Sequence, residues 1–209
     1  DDFNLQTGDM TNTGFNIVSR VEDNQTLFDI IQTALDLTLQ ATGKMFVLYD
    51  DFGKLTLKSL DQMKKNVLID AETGENFHYK STIDEQTYNQ IKLIYENNET
   101  GTREVFIAKS GANINQWGVL QYFDKLKNSV NGKQQADALL KLYNTKTRNL
   151  TIDGAFGDVS VRAGVLVPVM LSLGDINVGN YLLVEQCKHT FKNDEHTMDL
   201  TLRGGEFVG

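Results

Sequence analysis

The chain has 209 residues, 40% of them hydrophobic and 23% charged, which is enough for one large domain or two small ones. This is ordinary globular composition and excludes a disordered tail, a collagen-like chain and a disulfide scaffold. Twenty basic residues against 28 acidic ones give a net charge of −8, and an acidic surface repels phosphate backbones, which argues against general nucleic-acid binding and sequence readout.

The pattern along the chain predicts a short strand around Phe15 and Ile17 that ends near Arg20. A helix follows, opened by Asn24 or Thr26 as cap. Leu27, Ile30, Ile31, Ala34, Leu35, Thr38 and Ala41 recur at three- and four-residue steps, which is one apolar helical face running to Thr42, and Gly43 supplies a left-handed stop. Met45 to Tyr49 and Lys54 to Ser59 then form a hairpin around Asp50-Asp51-Phe52-Gly53, with Gly53 at positive φ. Leu55 and Leu57 share one face of the returning strand, and Thr56 and Lys58 the other. A polar junction with a short strand at Val67 to Ile69 and a turn at Ala71 to Glu75 places a boundary near residue 75.

The remainder reads mostly as strand. Asn89 to Tyr95 and Thr102 to Ala108 pair around Asn97 to Gly101, and Trp117 to Phe123 is loop then strand. A second helix, about 133–145, is marked by Ala136, Leu139, Leu140 and Tyr143. Arg148 to Ile152 is a strand, Asp153 to Asp158 a glycine-bracketed turn, and Val159 to Arg162 and Val165 to Leu171 are further strands. The only proline, Pro168, favours an edge or a bulge. The last hairpin runs from Tyr181 to Phe191 and back from His196 to Leu202, with His196, Met198, Leu200 and Leu202 on one face. The fold class is therefore α+β and mainly β. A small helix-plus-hairpin domain over 1–75 is followed over 76–209 by a β-sandwich or half-barrel with one flanking helix.

A single cysteine, Cys187, forms no internal disulfide, fits a reducing compartment, and reads as a small core residue. No apolar run approaches the roughly 18 to 20 residues that span a bilayer. The opening Asp1-Asp2-Phe3-Asn4 has neither Met nor a basic start, and reads as a cut from a longer chain.

Chemistry-bearing residues are sparse. Register across the final hairpin brings His189 near His196, but a zinc site needs three protein ligands, and Asp194 and Glu195 sit in a solvated turn; His78 is remote in sequence. No nucleophile elbow, zincin helix or phosphate loop is present, and Gly154 and Gly157 do not lead into a helix. Asp50 to Lys54 lacks the ligand spacing of a calcium loop. Asp84, Glu85, Asp124 and Glu185 are the carboxylates a glycosidase pair would draw on, and nothing ties them to one cleft. Trp117, Tyr122 and Phe123 suit core or interface packing better than sugar stacking. The Asn-x-Thr triplets at Asn24, Asn98 and Asn149 lack a secretion signal. No catalytic, metal or cofactor-binding residue is assigned.

Four stretches resemble the XkdQ/YqbQ family of tail proteins from PBSX-type prophages and related contractile-tail elements. They are Thr26 to Ile31 with Ala41 to Leu48 and Gly53 to Leu57; Tyr88 to Leu93 with Asn98 to Val105; Trp117 to Tyr122; and Tyr181 to Glu185 with His189 to Phe191 and Glu195 to Leu200. They occur in one order over residues 24–202. The resemblance implies a non-enzymatic baseplate hub. Residues 1–75 would be a middle domain and 76–209 a tube-type β domain, with most of a first tube domain missing. It further implies a homotrimer whose paired tube domains adapt a threefold spike to a sixfold tube. Its partners would be copies of itself, the tail tube, the spike and other baseplate proteins, in a particle assembled in the bacterial cytoplasm. Long Pro-poor strands suit a ring that pairs sheet edges. The alternative is a cell-wall-active module of a prophage tail, either a peptidoglycan hydrolase or a glycan-binding domain.

Overall fold

The computed structural model describes residues 5–97, 100–126, 131–173 and 176–204. In chain order the elements are β1 (Thr7–Met10), α1 (Leu27–Thr42), β2 (Phe46–Asp51), β3 (Lys54–Ser59), β4 (Ile69–Asp70), β5 (Asn76–Thr82), β6 (Gln90–Glu96), β7 (Arg103–Lys109), α2 (Gly111–Trp117), β8 (Gln121–Lys125), α3 (Gly132–Tyr143), β9 (Thr147–Phe156), β10 (Leu166–Leu173), β11 (Ile176–Lys192) and β12 (Glu195–Gly204). Backbone contacts group them into two units, one of residues 1–14, 44–81 and 148–209, the other of 15–43 and 82–147. The units interleave along the chain, a different grouping from a single boundary near residue 75.

The first unit holds a six-stranded sheet of order β4-β10-β11-β12-β9-β5, curled as a half-barrel. Strand alternation makes its core. Met198, Leu200 and Leu202 of β12 are buried, as the sequence pattern predicts, beside Leu150, Ile152 and Ala155 of β9 and Leu182 and Val184 of β11. Val167, Val169 and Leu171 of β10 extend this face, and Val161 and Val165 from the segment before β10 close over it.

Both neighbours of β12 carry an extra residue. On β9, Asp153 and Gly154 together oppose Asp199, because Ala155 pairs with Met198 and Ile152 with Leu200. On β11, Glu185 is inserted between Val184, which pairs with Leu202, and Gln186, which pairs with Thr201. Bulges bend a strand and increase its twist, so two of them flanking one strand account for the curl. The glycine-bracketed turn expected at Asp153 to Asp158 is therefore a correction: β9 continues to Phe156, and Gly154 at φ 68° forms the bulge. Val159 to Arg162 makes turns, not a strand, with Val161 N–H donating to Asp158 O at 3.0 Å. Pro168 is not on an edge strand, since β10 lies between β4 and β11, but β4 is only two residues long. Leu166 O accepts from Lys65 N at 2.8 Å, and alternation puts the Pro168 nitrogen on that same side, where its neighbour is the short segment 64–70 and not β11.

A three-stranded sheet of order β1-β3-β2 belongs to the same unit, with β1 parallel to β3. Its β2–β3 hairpin has the expected turn. The guanidinium of Arg162 lies 3.8 Å from the Tyr49 ring centroid, fastening this sheet to the segment before β10. The strand expected near Arg20 is absent: among the described residues, none lies between β1 and α1, and Val18 and Val21 are 82% and 93% exposed. Alternation without a pairing partner does not make a strand. β5 was not foreseen; its Phe77 and Tyr79 pack on the core while His78 and Lys80 point out.

In the second unit α1 begins and ends as its sequence predicts. Thr26 and Asp29 form a reciprocal capping box, and Gly43 at φ 70° donates to Leu39 O at 2.8 Å. α1 packs against α3. The sheet here has order β7-β6-β8, with β6 antiparallel to β7 and parallel to β8. Ala136 and Leu139 of α3 bury against Ile91 and Leu93 of β6 and Ala108 of β7. Gly132 opens α3 directly under the Phe106 ring, where a Cβ would collide. α2 was not expected; it is a single polar segment capped by Ser110. Of the turn expected at Asn97 to Gly101, Asn98 and Glu99 lie outside the described residues.

Leu200→Ala, which empties a buried site between two bulged strands, should cost about 2–5 kcal/mol. Thr26→Ala, which removes only a cap, should cost about 1 kcal/mol. Urea titration followed by circular dichroism measures both.

Candidate functional site

Register across the last hairpin pairs Phe191 with His196 and His189 with Met198, so the two histidines share the inner face. His189 Nε2 lies 2.9 Å from Val161 O, an acceptor, so Nε2 carries the proton. Its Nδ1 then accepts from His196 Nε2–H at 2.8 Å. Phe191 stacks on His196 with centroids 4.1 Å apart, and Gly157 packs on the other side, where any Cβ would enter the imidazole. Gly157 N–H donates to His196 O at 2.8 Å, fixing that approach. The pair thus pins the segment before β10 to the hairpin. Its facing nitrogens are committed to each other, which is a structural use of two imidazoles.

Asp194 and Glu195 lie exposed in the turn, and His78 is exposed on β5. Among the described residues no three His, Cys, Asp or Glu side chains gather as a metal-ligand set. Cys187 packs at the edge of the core, with Sγ 3.2 Å from His189 Nε2. Burial, and then the Asp199 carboxylate, pushes its thiol up, away from the reactive thiolate.

Three of the four carboxylates weighed as acids are occupied locally. Asp84 bonds to Thr82, Asp124 accepts from Tyr122 OH at 3.3 Å and Lys125 N at 2.7 Å, and Glu185 pairs with Arg203 at 3.4 Å. The backbone carbonyl of Glu85 accepts from Thr87 and Thr147. Glu185 lies in the first unit and the other three in the second. A general acid needs a carboxyl pushed up by its surroundings. Among the described residues the two clearly displaced carboxyls, Asp158 and Asp199, are instead held below the usual range. Ser160 holds Asp158 down through its hydroxyl and then its N–H. Gly154 N–H and then Lys188 do so for Asp199.

The aromatic candidates separate. Tyr122 faces inward in an edge-and-stack cluster with Tyr88 and Tyr143, centroids 5.4–5.8 Å apart, and burial followed by Asp124 pushes its phenol up to about 12. Phe123, next along β8, points to the opposite face. Trp117 sits at the end of α2 with Lys146 Nζ 5.8 Å from its ring. The three do not form one stacking platform.

What the first unit presents instead is a polar outer sheet face, which sequence reasoning foresaw only as alternation. Lys188 bonds Asp199 at 3.1 Å, Arg203 pairs with Glu185, and Thr190 opposes Thr197 as Thr151 opposes Thr201. Two opposite-charge pairs therefore lie on this face.

Two solved structures that share this fold are prophage tail proteins. The 43 kDa tail protein of prophage MuSo2 from Shewanella oneidensis superposes with a TM-score of 0.62 at 10% identity, over 96% of this chain and 62% of that one. Prophage tail protein gp18 from Listeria monocytogenes EGD-e gives 0.56 at 14% identity, over 99% of this chain and 61% of that one. At such identity the likeness establishes the fold.

The family follows from sequence: the profile described as YQBQ-like matches residues 1–203, and the chain belongs to that family. In Bacillus subtilis strain 168 the phage-like element PBSX protein XkdQ is 30% identical over 206 residues, and the uncharacterized protein YqbQ is 30% identical over 207. Each match covers 95% of this chain and 61% of the relative, so the chain spans under two thirds of their length.

Asp199 holds the β9 bulge through Gly154 and reaches β11 through Lys188. Because its folded-state carboxyl is depressed, its stabilisation is complete above the ordinary carboxylate range and is lost as pH falls below about 4. Asp199→Asn should melt lower than the parent at pH 7, and the gap should close on acidification. Melting temperature against pH for both proteins measures this.

Proposed function

We propose that the chain is a non-enzymatic structural component of a contractile phage-tail-like particle, part of a baseplate hub that links tail tube to spike. The observation that carries the reading is 30% identity to PBSX XkdQ over 95% of the chain. The tail-protein fold supports it. So does the local chemistry: carboxylates are engaged in structural bonds, both displaced carboxyls are held ionised, and the two histidines are spent on each other.

In this reading the polar face of the half-barrel is turned to an aqueous passage and its open edges meet neighbouring subunits. A threefold assembly with two tube-type domains per full-length chain is the oligomer the family resemblance implies, and the particle baseplate its location. The sheet suits such a role, since β5 at one end carries an edge that a neighbouring strand can pair.

Light scattering of the full-length protein should give a trimer, and mass spectrometry of purified particles should find the chain in fixed proportion to tube and spike proteins. The same protein should release no soluble fragments from purified peptidoglycan. A stable monomer absent from particles, or turnover of the wall polymer, would overturn the proposal.

A further inference from the structure

The β2–β3 hairpin closes with two residues, Phe52 and Gly53, at φ 51° and 83°. Such a turn needs positive φ at both central positions, which Asn, Asp and Gly accept and a bulky side chain resists. The chain follows this preference elsewhere. Among the described residues a second two-residue hairpin turn uses Asn193 and Asp194 at φ 49° and 62°. Among the described residues, the non-glycine positions with positive φ are Asn24, Phe52, Gln86, Asn131, Asn193 and Asp194, and Phe52 is the one apolar side chain in that set.

Among the described residues Phe52 gains no cover in return, since it is 102% exposed. Leu5, 61% exposed, lies toward the same end of the sheet, because β1 runs parallel to β3 with Thr7 opposite Leu55 and Gln6 O accepting from Leu55 N. Asp50 secures the turn by accepting from Gly53 N–H at 2.6 Å, and Asp51 is exposed at its base opposite Lys54. A strained, solvent-facing aromatic held on a rigid tip has the form of an interface anchor, whose burial in a pocket returns the most free energy per side chain.

The geometry points to the Phe52 tip, with Leu5 toward the same end of the sheet, as a docking knob that inserts into an apolar pocket, rimmed by Lys or Arg, on a different protein. The basic rim follows from Asp50 and Asp51. The tip carries Asp50 and Asp51 against the one Lys54, and a chain with 28 acidic and 20 basic residues is less suited to rim it with Lys or Arg than a basic partner, so the pocket is sought on a different protein. The inference goes beyond the tail assignment and uses it only to choose where the partner is sought.

The full-length protein carrying p-benzoylphenylalanine at position 52 is expressed in the bacterium that encodes it, irradiated, and its crosslinks mapped in cells and in purified particles. Alongside it, Phe52→Asn is compared with the parent for melting temperature and for abundance in particles. Relief of the turn should raise the melting temperature by about 2–4 °C, while abundance in particles falls at least tenfold. The crosslink should map to a second protein, at apolar residues flanked by Lys or Arg. A crosslink to another copy of the chain, no crosslink, an unchanged melting temperature, or full incorporation of Phe52→Asn would each overturn the inference. If the parent itself is missing from particles, the tail reading fails, and the crosslinks in cells and the melting shift still decide the docking.

Discussion

The first unit depends on the two-residue period of β12. Its even-numbered residues from Met198 to Leu202 fill the core, so a slip of one position would bury Asp199, Thr201 and Arg203 in their place. The register is held from both sides. Asp199 reaches Gly154 on β9 and Lys188 on β11, so one carboxylate joins three strands where the ladder is interrupted. The β9 bulge lies opposite Asp199, and the β11 bulge lies two to three residues further along β12, at Thr201 and Leu202. Curvature and register are therefore set together.

From that curl follows the rest of the unit. A concave apolar face needs a cover, and the segment before β10 supplies it through Val161 and Val165. Its placement is fixed by backbone and imidazole bonds: Val161 O to His189, Gly157 N–H to His196 O, and Arg162 on Tyr49. The histidine pair is thus part of the scaffold. The outer face is polar and carries two opposite-charge pairs, Lys188 with Asp199 and Arg203 with Glu185.

Where local chemistry and tertiary packing agree, the sequence was legible. Thr26, Asp29 and Gly43 define α1 because caps are local bonds, and the final hairpin is readable because its alternation is strict. The meeting of His189 with His196 followed from register alone. The Gly154 bulge was read as a turn because a glycine at positive φ serves both, and only the partner strand distinguishes them. α2 was missed because Asn113, Asn115 and Gln116 give it no apolar period, and its start depends on one Ser110 bond. Phe52 looked like an ordinary hairpin residue; its conformation and its lack of cover exist only in three dimensions.

The strand order has a consequence for biosynthesis. β12 is made after every other described strand, yet it sits between β11 and β9. Until its last residues leave the ribosome, β9 has no partner on that side and the concave face lacks its central row of side chains. The nascent chain must carry an open apolar trough from the completion of β9 until β12 emerges, and closure is a late event that pairs Asn149 with Arg203 and Phe156 with Thr197 across the whole of β10 and β11. Loss of the final strand would split the sheet in two rather than trim its border.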